Sequence, residues 1–199
     1  MTLDTTAPTE LNTRQLIAQA AIKLFSENGY AGTSIRDIVE AAGVTKPVLY
    51  YYFNSKEELY RSLFHDIYDA WLPILRERIN APTDFHTRLR DLMDYYLDFG
   101  DESEICALRL IYTAAFGPKA QRELVDIVAL EKKHLDLLKQ FFQEGIHTGC
   151  IRSIPAENAA VHFLGVLTMQ LNLRVVTGQE ISNEQKETII NYCLSGIGQ

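Results

Sequence analysis

The sequence has few of the features that mark secreted, membrane-bound or zinc-binding proteins. Its three cysteines, Cys106, Cys150 and Cys193, are far apart and form no CxxC pair. Neither a disulfide framework nor a zinc site is therefore indicated, and a reduced, cytoplasmic setting is favoured. The N-terminal segment is acidic and rich in threonine, without the basic and apolar regions of a signal peptide. We interpret residues 1–10 as a disordered leader.

An excess of positive charge is also missing. The net charge is −7 and the pI is about 5.2, and residues 11–60 carry five basic and five acidic side chains. Charge alone therefore permits nucleic-acid binding without indicating it. The apolar fraction of 47% is enough for a packed core. The longest apolar segment, 159–176, is interrupted by polar residues, so we interpret it as a buried helix and predict no membrane contact.

Two amphipathic helices are predicted near the N-terminus. From Arg14 to Glu27, apolar residues recur every three or four positions, which places them on one side of a helix. Asn28-Gly29 ends that pattern, because glycine readily adopts the left-handed conformation of a helix C-terminus. A second helix begins at the hydroxyl caps Thr33 and Ser34 and ends at Gly43.

A short third helix and a long fourth one follow. Thr45 can cap the third helix, and Pro47 is tolerated in its first turn because those N–H groups have no partner within the helix. Ser55 and Glu58 form a Ser-x-x-Glu capping box for the fourth helix. Pro73 is expected to kink or end that helix.

The remaining pattern is helical throughout, so the predicted fold class is all-α with about nine helices. Gly, Pro and Asn residues separate the later helices. No segment shows the sustained alternation of a β-strand, and Gly149 to Arg152 is interpreted as a loop. The five later helices are predicted at 84–99, 103–116, 118–147, 155–177 and 182–194.

The second and third helices have the layout of a helix-turn-helix, in which the second helix of the pair enters the major groove of DNA. Residues 43–59, GVTKPVLYYYFNSKEEL, closely resemble the signature of the TetR (tetracycline repressor) family. FSENGY at 25–30 and TSIRDI at 33–38 match the first two helices of the same family. The resemblance spans roughly residues 12–62. It implies a DNA-binding domain at 11–56 and a helical effector-binding and dimerisation domain at 57–199.

The resemblance also implies which side chains contact DNA. Thr45, Lys46 and Tyr50 lie at or near the exposed start of the third helix, and are expected to reach base edges or phosphates. Pro47 stands where the family often has glycine, and can only contact a base through its apolar ring. The other candidates are expected to contact the phosphate backbone, namely Thr33, Ser34, Tyr51 and Lys56. Thr33 or Ser34 can equally be only a helix cap. Leu49, Tyr52 and Phe53 are assigned to the core.

The C-terminal part is less specific. The resemblance implies helices around a pocket, with the last two long helices pairing in a homodimer. A small apolar or aromatic effector is expected, because aromatic residues and a few polar groups suit such a ligand. Each candidate can instead be plain core, and Arg109 can pair with an acidic neighbour instead of a ligand. The candidates are Trp71, Tyr95, Phe99, Arg109, Tyr112, Phe116, His134, Phe141, His162 and Met169.

The resemblance implies a ligand-responsive repressor that binds a near-palindromic operator in double-stranded DNA. Two other hypotheses are considered. Glu131 and His134 form a Glu-x-x-His motif of the kind found in di-iron bundles, and Glu144 and His147 have the same spacing. Such sites need two further glutamates, and the remaining histidines have no close metal-ligand spacing, so we predict no enzyme activity, no metal and no cofactor. A protein-binding adaptor that has lost DNA contact is the other alternative, and the retained Thr45, Lys46, Tyr50 and Lys56 argue against it.

Overall fold

The computed structural model describes residues 10–98 and 100–197, and these form helices and connections with no β-strand. The predicted all-α class is confirmed. Ten helices are present in the described residues: α1 (Glu10–Gly32), α2 (Ile35–Ala41), α3 (Lys46–Tyr52), α4 (Lys56–Ile79), α5 (Phe85–Asp98), α6 (Glu102–Phe116), α7 (Lys119–Arg122), α8 (Ile127–His147), α9 (Ala156–Thr177) and α10 (Asn183–Ile197).

The chain divides into two compact units. The first contains residues 10–67 and 102–126, and the second contains residues 68–101 and 127–197. The predicted division at residue 56 therefore differs from the boundary between the two compact units, because the first unit extends to residue 67 and also includes α6 and α7. Helix α6 packs along α1, and it buries Cys106, Leu110 and Ala114. Helices α1, α2 and α3 alone are too small a unit to bury a sufficient core. Helix α6, which begins 70 residues after the end of α1, adds apolar side chains to that core.

The core of the first unit also draws on α1 to α4. Its fully buried side chains include Ile17, Ala21, Phe25, Ile38, Leu49, Leu59, Leu63 and Phe64. In the second unit, apolar residues from α4, α5, α8, α9 and α10 form one continuous cluster. Burial of such side chains is the main stabilising contribution to each unit.

Two predicted boundaries can be compared directly with the structure. The predicted end at Asn28-Gly29 is confirmed, because Gly29 has a non-helical φ of 70° and separates the main part of α1 from the short helical segment that reaches Gly32. Helix α4 continues through Pro73 to Ile79. Pro73 and Asp69 are both exposed, so the carbonyl that loses its helical hydrogen bond at Pro73 can be hydrated.

The predicted helix over 118–147 is two helices, α7 and α8, so the total is ten and not nine. No glycine or proline lies between them. Instead, Arg61 Nε donates a hydrogen bond to the Leu124 carbonyl at 2.7 Å, and Val125 is buried. A contact from a distant helix thus occupies a carbonyl that a continuous helix would have used.

Helix α9 was predicted to be buried, and this is only partly correct. Just 28% of its most apolar window is buried, and by length and composition it is the one described helix that matches a membrane span. One such helix is weak evidence for a membrane. One side of α9 joins the core through Ala160, Phe163 and Leu167, whereas the opposite side leaves Val166, Met169, Leu173 and Val176 exposed. The second side is an apolar surface without a cover in the described chain.

Candidate functional site

Helices α2 and α3 are held in a helix-turn-helix by a cap and a tight turn. Ser34 is the N-cap of α2, where its hydroxyl accepts from the Asp37 N–H while the Asp37 carboxylate accepts from the Ser34 N–H. The backbone N–H and the side chain of Ser34 both hydrogen-bond the Asp37 carboxylate, and this lowers the pKa of Asp37. Gly43 takes the turn with φ +66°, a conformation that favours glycine. The Val44 N–H then reaches the Val39 carbonyl at 2.9 Å.

Helix α3 has one side in the core and one side in solvent. Leu49 and the following Phe53 are buried, with 0% and 2% exposure. The exposed side begins at Thr45, whose side chain makes no capping hydrogen bond. Its hydroxyl is therefore available to a ligand. The exposed candidates on this surface are Thr45, Lys46, Pro47, Tyr50 and Tyr51, and we name them the recognition surface.

The side chain of Thr33 is not part of an exposed surface, which corrects the prediction for that residue. It is 2% exposed, and its hydroxyl donates to the carbonyls of Leu24 and Gly29 at 3.1 and 3.0 Å. Thr33 therefore ties the end of α1 to the start of α2, and its donor is already used. Ser34 is exposed, but its hydroxyl also serves the capping box, so any phosphate there would meet backbone N–H groups first.

Lys56 and Tyr52 are both half-buried. The Lys56 ammonium lies over the Tyr30 ring, with Nζ 4.2 Å from the centroid, and burial lowers its pKa. Part of its charge is thus engaged by an aromatic face. Tyr52 was assigned to the core, but it is half-buried and contacts Tyr51 ring to edge, with 5.0 Å between centroids.

Known proteins share both the motif and the fold. Residues 17–63 match the family model of bacterial regulatory proteins of the tetR family. The match covers most of α1, all of α2 and α3 and the start of α4, and so includes the recognition surface. The N-terminal helix-turn-helix thus matches the tetR family, as its sequence predicts, and further helices follow it.

Three relatives show how far the similarity extends. The HTH-type transcriptional regulator YhgD of Bacillus subtilis is 25% identical over 150 residues, which cover 75% of this chain and 78% of YhgD. The structure of FadR from Bacillus subtilis in complex with stearoyl-CoA has a TM-score of 0.76 at 22% identity and covers 92% of this chain and 98% of FadR. The structure of AibR in complex with isovaleryl coenzyme A and operator DNA has a TM-score of 0.70 at 23% identity, over 94% and 98% of the two chains. At these identities the two structures establish only the fold of this chain.

The predicted pocket residues are divided between the two compact units. Trp71, Tyr95, His134, Phe141, His162 and Met169 belong to the second unit, whereas Arg109, Tyr112 and Phe116 belong to the first. Phe99 lies outside the described residues. His162 is exposed and Phe116 and Met169 are 83% and 56% exposed, so these three side chains do not line an enclosed space within their own units. Phe141 is core, stacked on Phe85 with 4.6 Å between centroids.

Phe141 also lines a shallow surface groove of the second unit. The groove has a volume of about 270 Å³, near the lower end of the range of ligand pockets. Its wall includes Glu144, which pairs with the buried Arg88. None of the other predicted pocket residues lines it.

The structure does bring Trp71 and His134 together, along with residues that the sequence did not single out as a pocket. The Trp71 and His134 rings lie 4.4 Å apart between centroids, and Tyr96 packs edge-on against Trp71 at 5.8 Å. Tyr68 and Glu131 complete a hydrogen-bonded group. We name Tyr68, Trp71, Tyr96, Glu131 and His134 the polar cluster.

Sequence reasoning missed Tyr68 and Tyr96 and assigned Glu131 only to an alternative metal motif. Pairs three residues apart in sequence, such as Tyr68 with Trp71 and Glu131 with His134, share one side of a helix. That spacing was a usable signal within each helix. Nothing in the sequence indicates that the two helices face each other, because that depends on packing. Within the described residues no group of three or more potential metal ligands is found.

Proposed function

We propose that this protein is a ligand-responsive repressor of the TetR family, which binds a near-palindromic operator as a homodimer and is released by a small effector. The observation that carries the proposal is the recognition surface. It presents Thr45, whose side chain makes no capping hydrogen bond, the exposed Lys46 and two exposed tyrosines. The opposite side of the same helix is anchored in the core by Leu49 and Phe53. Rigid presentation of polar groups from a helix start suits the major groove.

The residues of the recognition surface have different proposed roles. Thr45 and Tyr50 donate or accept hydrogen bonds at base edges, and Pro47 offers an apolar contact to a thymine methyl group. Lys46 supplies a positive charge to a base or a phosphate. Tyr51 and the N–H groups at Ser34 contact phosphates, with Lys56 adding a weaker contribution because it is held over Tyr30.

Homodimerisation is supported by the uncovered apolar side of α9. His162, Val166, Met169, Leu173 and Val176 recur at steps of three and four residues and are all exposed. Repeats of this kind form a seam between helices, and Tyr192 on α10 adds a 76% exposed aromatic ring. A twofold dimer would place two recognition helices about 34 Å apart, or one turn of DNA.

The effector is proposed to bind the domain of residues 57–199. FadR and AibR are described in complex with acyl-coenzyme A compounds, so acyl thioesters and free acids are the first ligands to screen. A ligand changes DNA affinity only if it binds one state of the protein better than the other. Helix α4 contributes residues to both units and is the proposed lever. We further propose that the protein is cytoplasmic and has no enzyme activity.

The test is selection of bound fragments from a random duplex library at about 0.1 to 0.15 M salt, followed by sequencing. Enrichment of a near-palindrome is expected, and addition of acyl-CoA or free-acid candidates should then release the selected fragment. A lack of enrichment at low salt as well as at moderate salt would contradict the proposal and favour a protein-binding adaptor. An enriched site without symmetry would contradict the homodimer.

A further inference from the structure

The polar cluster contains one buried hydrogen-bond donor that has no partner among the described residues. It is built by Tyr68 and Trp71 on α4, Tyr96 on α5, and Glu131 and His134 on α8. Tyr68, Tyr96 and His134 are buried, with exposures of 1%, 3% and 3%. Buried polar groups need partners, so each donor of the cluster can be followed to its acceptor.

The two phenols and the imidazole are hydrogen-bonded within the cluster. The Tyr68 hydroxyl donates to Glu131 Oε1 at 2.5 Å. The Tyr96 hydroxyl lies 2.5 Å from His134 Nε2, and His134 Nδ1 lies 3.5 Å from Glu131 Oε2. Burial raises the pKa of both tyrosines, so both phenols keep their protons. The consistent assignment has Tyr96 donating to Nε2 while Nδ1–H points to the Glu131 carboxylate.

In this arrangement the indole N–H of Trp71 is the donor without an acceptor. Trp71 Nε1 is buried and has no hydrogen-bond partner among the described residues. Tryptophan N–H groups usually find an acceptor when buried, because an unpaired donor loses its bond to water. The Trp71 ring packs against His134 and Tyr96 and against the apolar core of the second unit. An acceptor supplied from outside would complete the cluster.

We propose that the effector presents a neutral carbonyl oxygen to Trp71 Nε1, with an apolar chain attached to that carbonyl. This inference deepens the proposed function and rests on it, since it names the chemical class of the effector. The acceptor must be neutral because Glu131 already places a carboxylate at the cluster and none of the five residues is a lysine or arginine. The Glu131 side chain is 47% exposed, whereas a second carboxylate at the buried Trp71 Nε1 would be desolvated, repelled by Glu131 and without a countercharge among the five residues.

The protonation of Glu131 agrees with this exclusion. Burial acts to raise its pKa, but hydrogen bonds from His134 and Tyr68 outweigh burial and leave that pKa lowered. Glu131 is thus ionised at neutral pH. The effector is proposed to carry an apolar chain because the residues around the cluster are aromatic. Tyr96, for example, packs edge-on against Phe163 with 5.8 Å between centroids. Amides, esters and thioesters of apolar acids share the required chemistry.

The protein carries its own probe, because Trp71 is its single tryptophan. Emission from Trp71 is recorded while the full chain is titrated at pH 7 with octanamide, octanoate and octanoyl-coenzyme A. Octanamide is expected to produce a saturable change, with octanoate at least tenfold weaker. Octanoyl-coenzyme A distinguishes the source of the carbonyl: binding as tight as octanamide assigns a thioester, and absence of binding assigns a free neutral compound. If octanoate binds as well as octanamide, or none of the three binds, the proposal is overturned.

Trp71→Phe keeps an aromatic ring and removes the N–H. Equilibrium dialysis of octanamide against this variant should show about a tenfold loss of affinity, the scale of one hydrogen bond. Thermal unfolding should change little, because the variant deletes a donor that has no partner in the free protein. Phe163→Leu is the matched control; it thins the apolar wall and should weaken octanamide and octanoate alike. Unchanged octanamide affinity in Trp71→Phe would overturn the proposal.

The two proposals fail in different ways. Release of the selected operator is measured in the same titrations by fluorescence anisotropy of labelled DNA. Saturable octanamide binding at Trp71 without any operator release would support the carbonyl site and contradict ligand-responsive repression by this class of compound. Operator release by octanoate, with no change in Trp71 emission, would support the proposed function and overturn the carbonyl site.

Discussion

Lys46 and Leu49 lie three residues apart on α3 and have opposite surroundings. Leu49 is fully buried, whereas Lys46 is exposed in the first turn. The role of a residue in this helix follows from the side it occupies, since the buried side fixes the helix and the exposed side meets the partner. Substitutions on the two sides should therefore separate DNA affinity from stability.

Lys46→Ala should weaken operator binding while leaving the free energy of unfolding within about 0.5 kcal/mol of the parent. If Lys46 contacts a phosphate, the slope of log affinity against log salt should fall by about one. Anisotropy titrations with the selected operator at several salt concentrations, together with urea unfolding, measure both. Leu49→Ala is the matched control and should cost about 2 to 5 kcal/mol of stability. Parental affinity in Lys46→Ala would show that the docking register is wrong.

Arg88 and Glu144 provide a pH-dependent contribution in the second unit. The buried Arg88 donates to the Ile79 carbonyl at 2.6 Å and to both carboxylate oxygens of Glu144. The hydrogen bond from Arg88 lowers the pKa of Glu144 below its usual value of 4.5. A carboxylate with a lowered folded-state pKa stabilises the fold above the unfolded-state pKa, and this contribution is lost as the pH falls through the folded-state value.

Glu144→Gln should therefore destabilise the protein at pH 7, by roughly 1.5 kcal/mol, the low end for a charged hydrogen bond because Glu144 is half exposed. The difference from the parent should hold down to about pH 5 and shrink below pH 4.5. Urea unfolding across this range is the measurement. Glu157→Gln is the control, because its exposed pair with Lys139 is 3.8 Å long and should contribute little at any pH. A difference that does not depend on pH would contradict the assignment.

At the scale of the element, the hydroxyl residues at the N-caps of α2 and α3 have different roles. Ser34 completes a capping box with Asp37, whereas Thr45 makes no capping hydrogen bond at all. The sequence pattern suggested a cap at both positions. The backbone is extended at both positions, so only the side-chain hydrogen bond distinguishes the capping hydroxyl of Ser34 from the uncommitted hydroxyl of Thr45.

Ser34→Ala should lower the free energy of unfolding by about 1 kcal/mol, the usual cost of a lost N-cap. Thr45→Ala should leave stability nearly unchanged and reduce affinity for the operator. Both variants are measured by urea unfolding and by operator titration. Equal losses of stability in the two variants would mean that Thr45 is a cap, and its place in the recognition surface would then be withdrawn.

At the scale of the whole molecule, the exposed side of α9 is the proposed dimer interface. Its apolar residues recur along the length of the helix, from Val166 to Val176. Monomeric proteins rarely leave such a surface uncovered. A twofold pairing of identical chains would cover it and would position two recognition helices on one operator.

Met169→Glu should convert the dimer to a monomer, because it places a charge in the middle of an apolar seam. Sedimentation velocity measures the change, and operator affinity should fall with it. Phe116→Glu is the control, since Phe116 is 83% exposed on α6 in the first unit and is expected to leave the dimer intact. A dimer that persists in Met169→Glu would place the interface elsewhere.

The sequence by itself determined the helix-turn-helix, because its signals are local. The cap at Ser34, the turn at Gly43 and the apolar positions Leu49 and Phe53 all act within a few residues. The same local signals predicted the later helices and the all-α class. They did not show which of the two expected outcomes, a kink or an end, applies at the exposed Pro73, where α4 continues. They also did not predict the interruption near Leu124, where a side chain from another helix binds a carbonyl.

Only the tertiary structure decided which distant residues meet. Thr33 has the sequence of a cap, yet packing places its hydroxyl against two carbonyls of α1. Tyr68, Trp71, Tyr96, Glu131 and His134 come together because three helices bury their apolar sides against one another, and that arrangement is set by packing across the whole unit. Helical periodicity shows which side of each helix is apolar, but the pairing of those sides is a property of the folded chain.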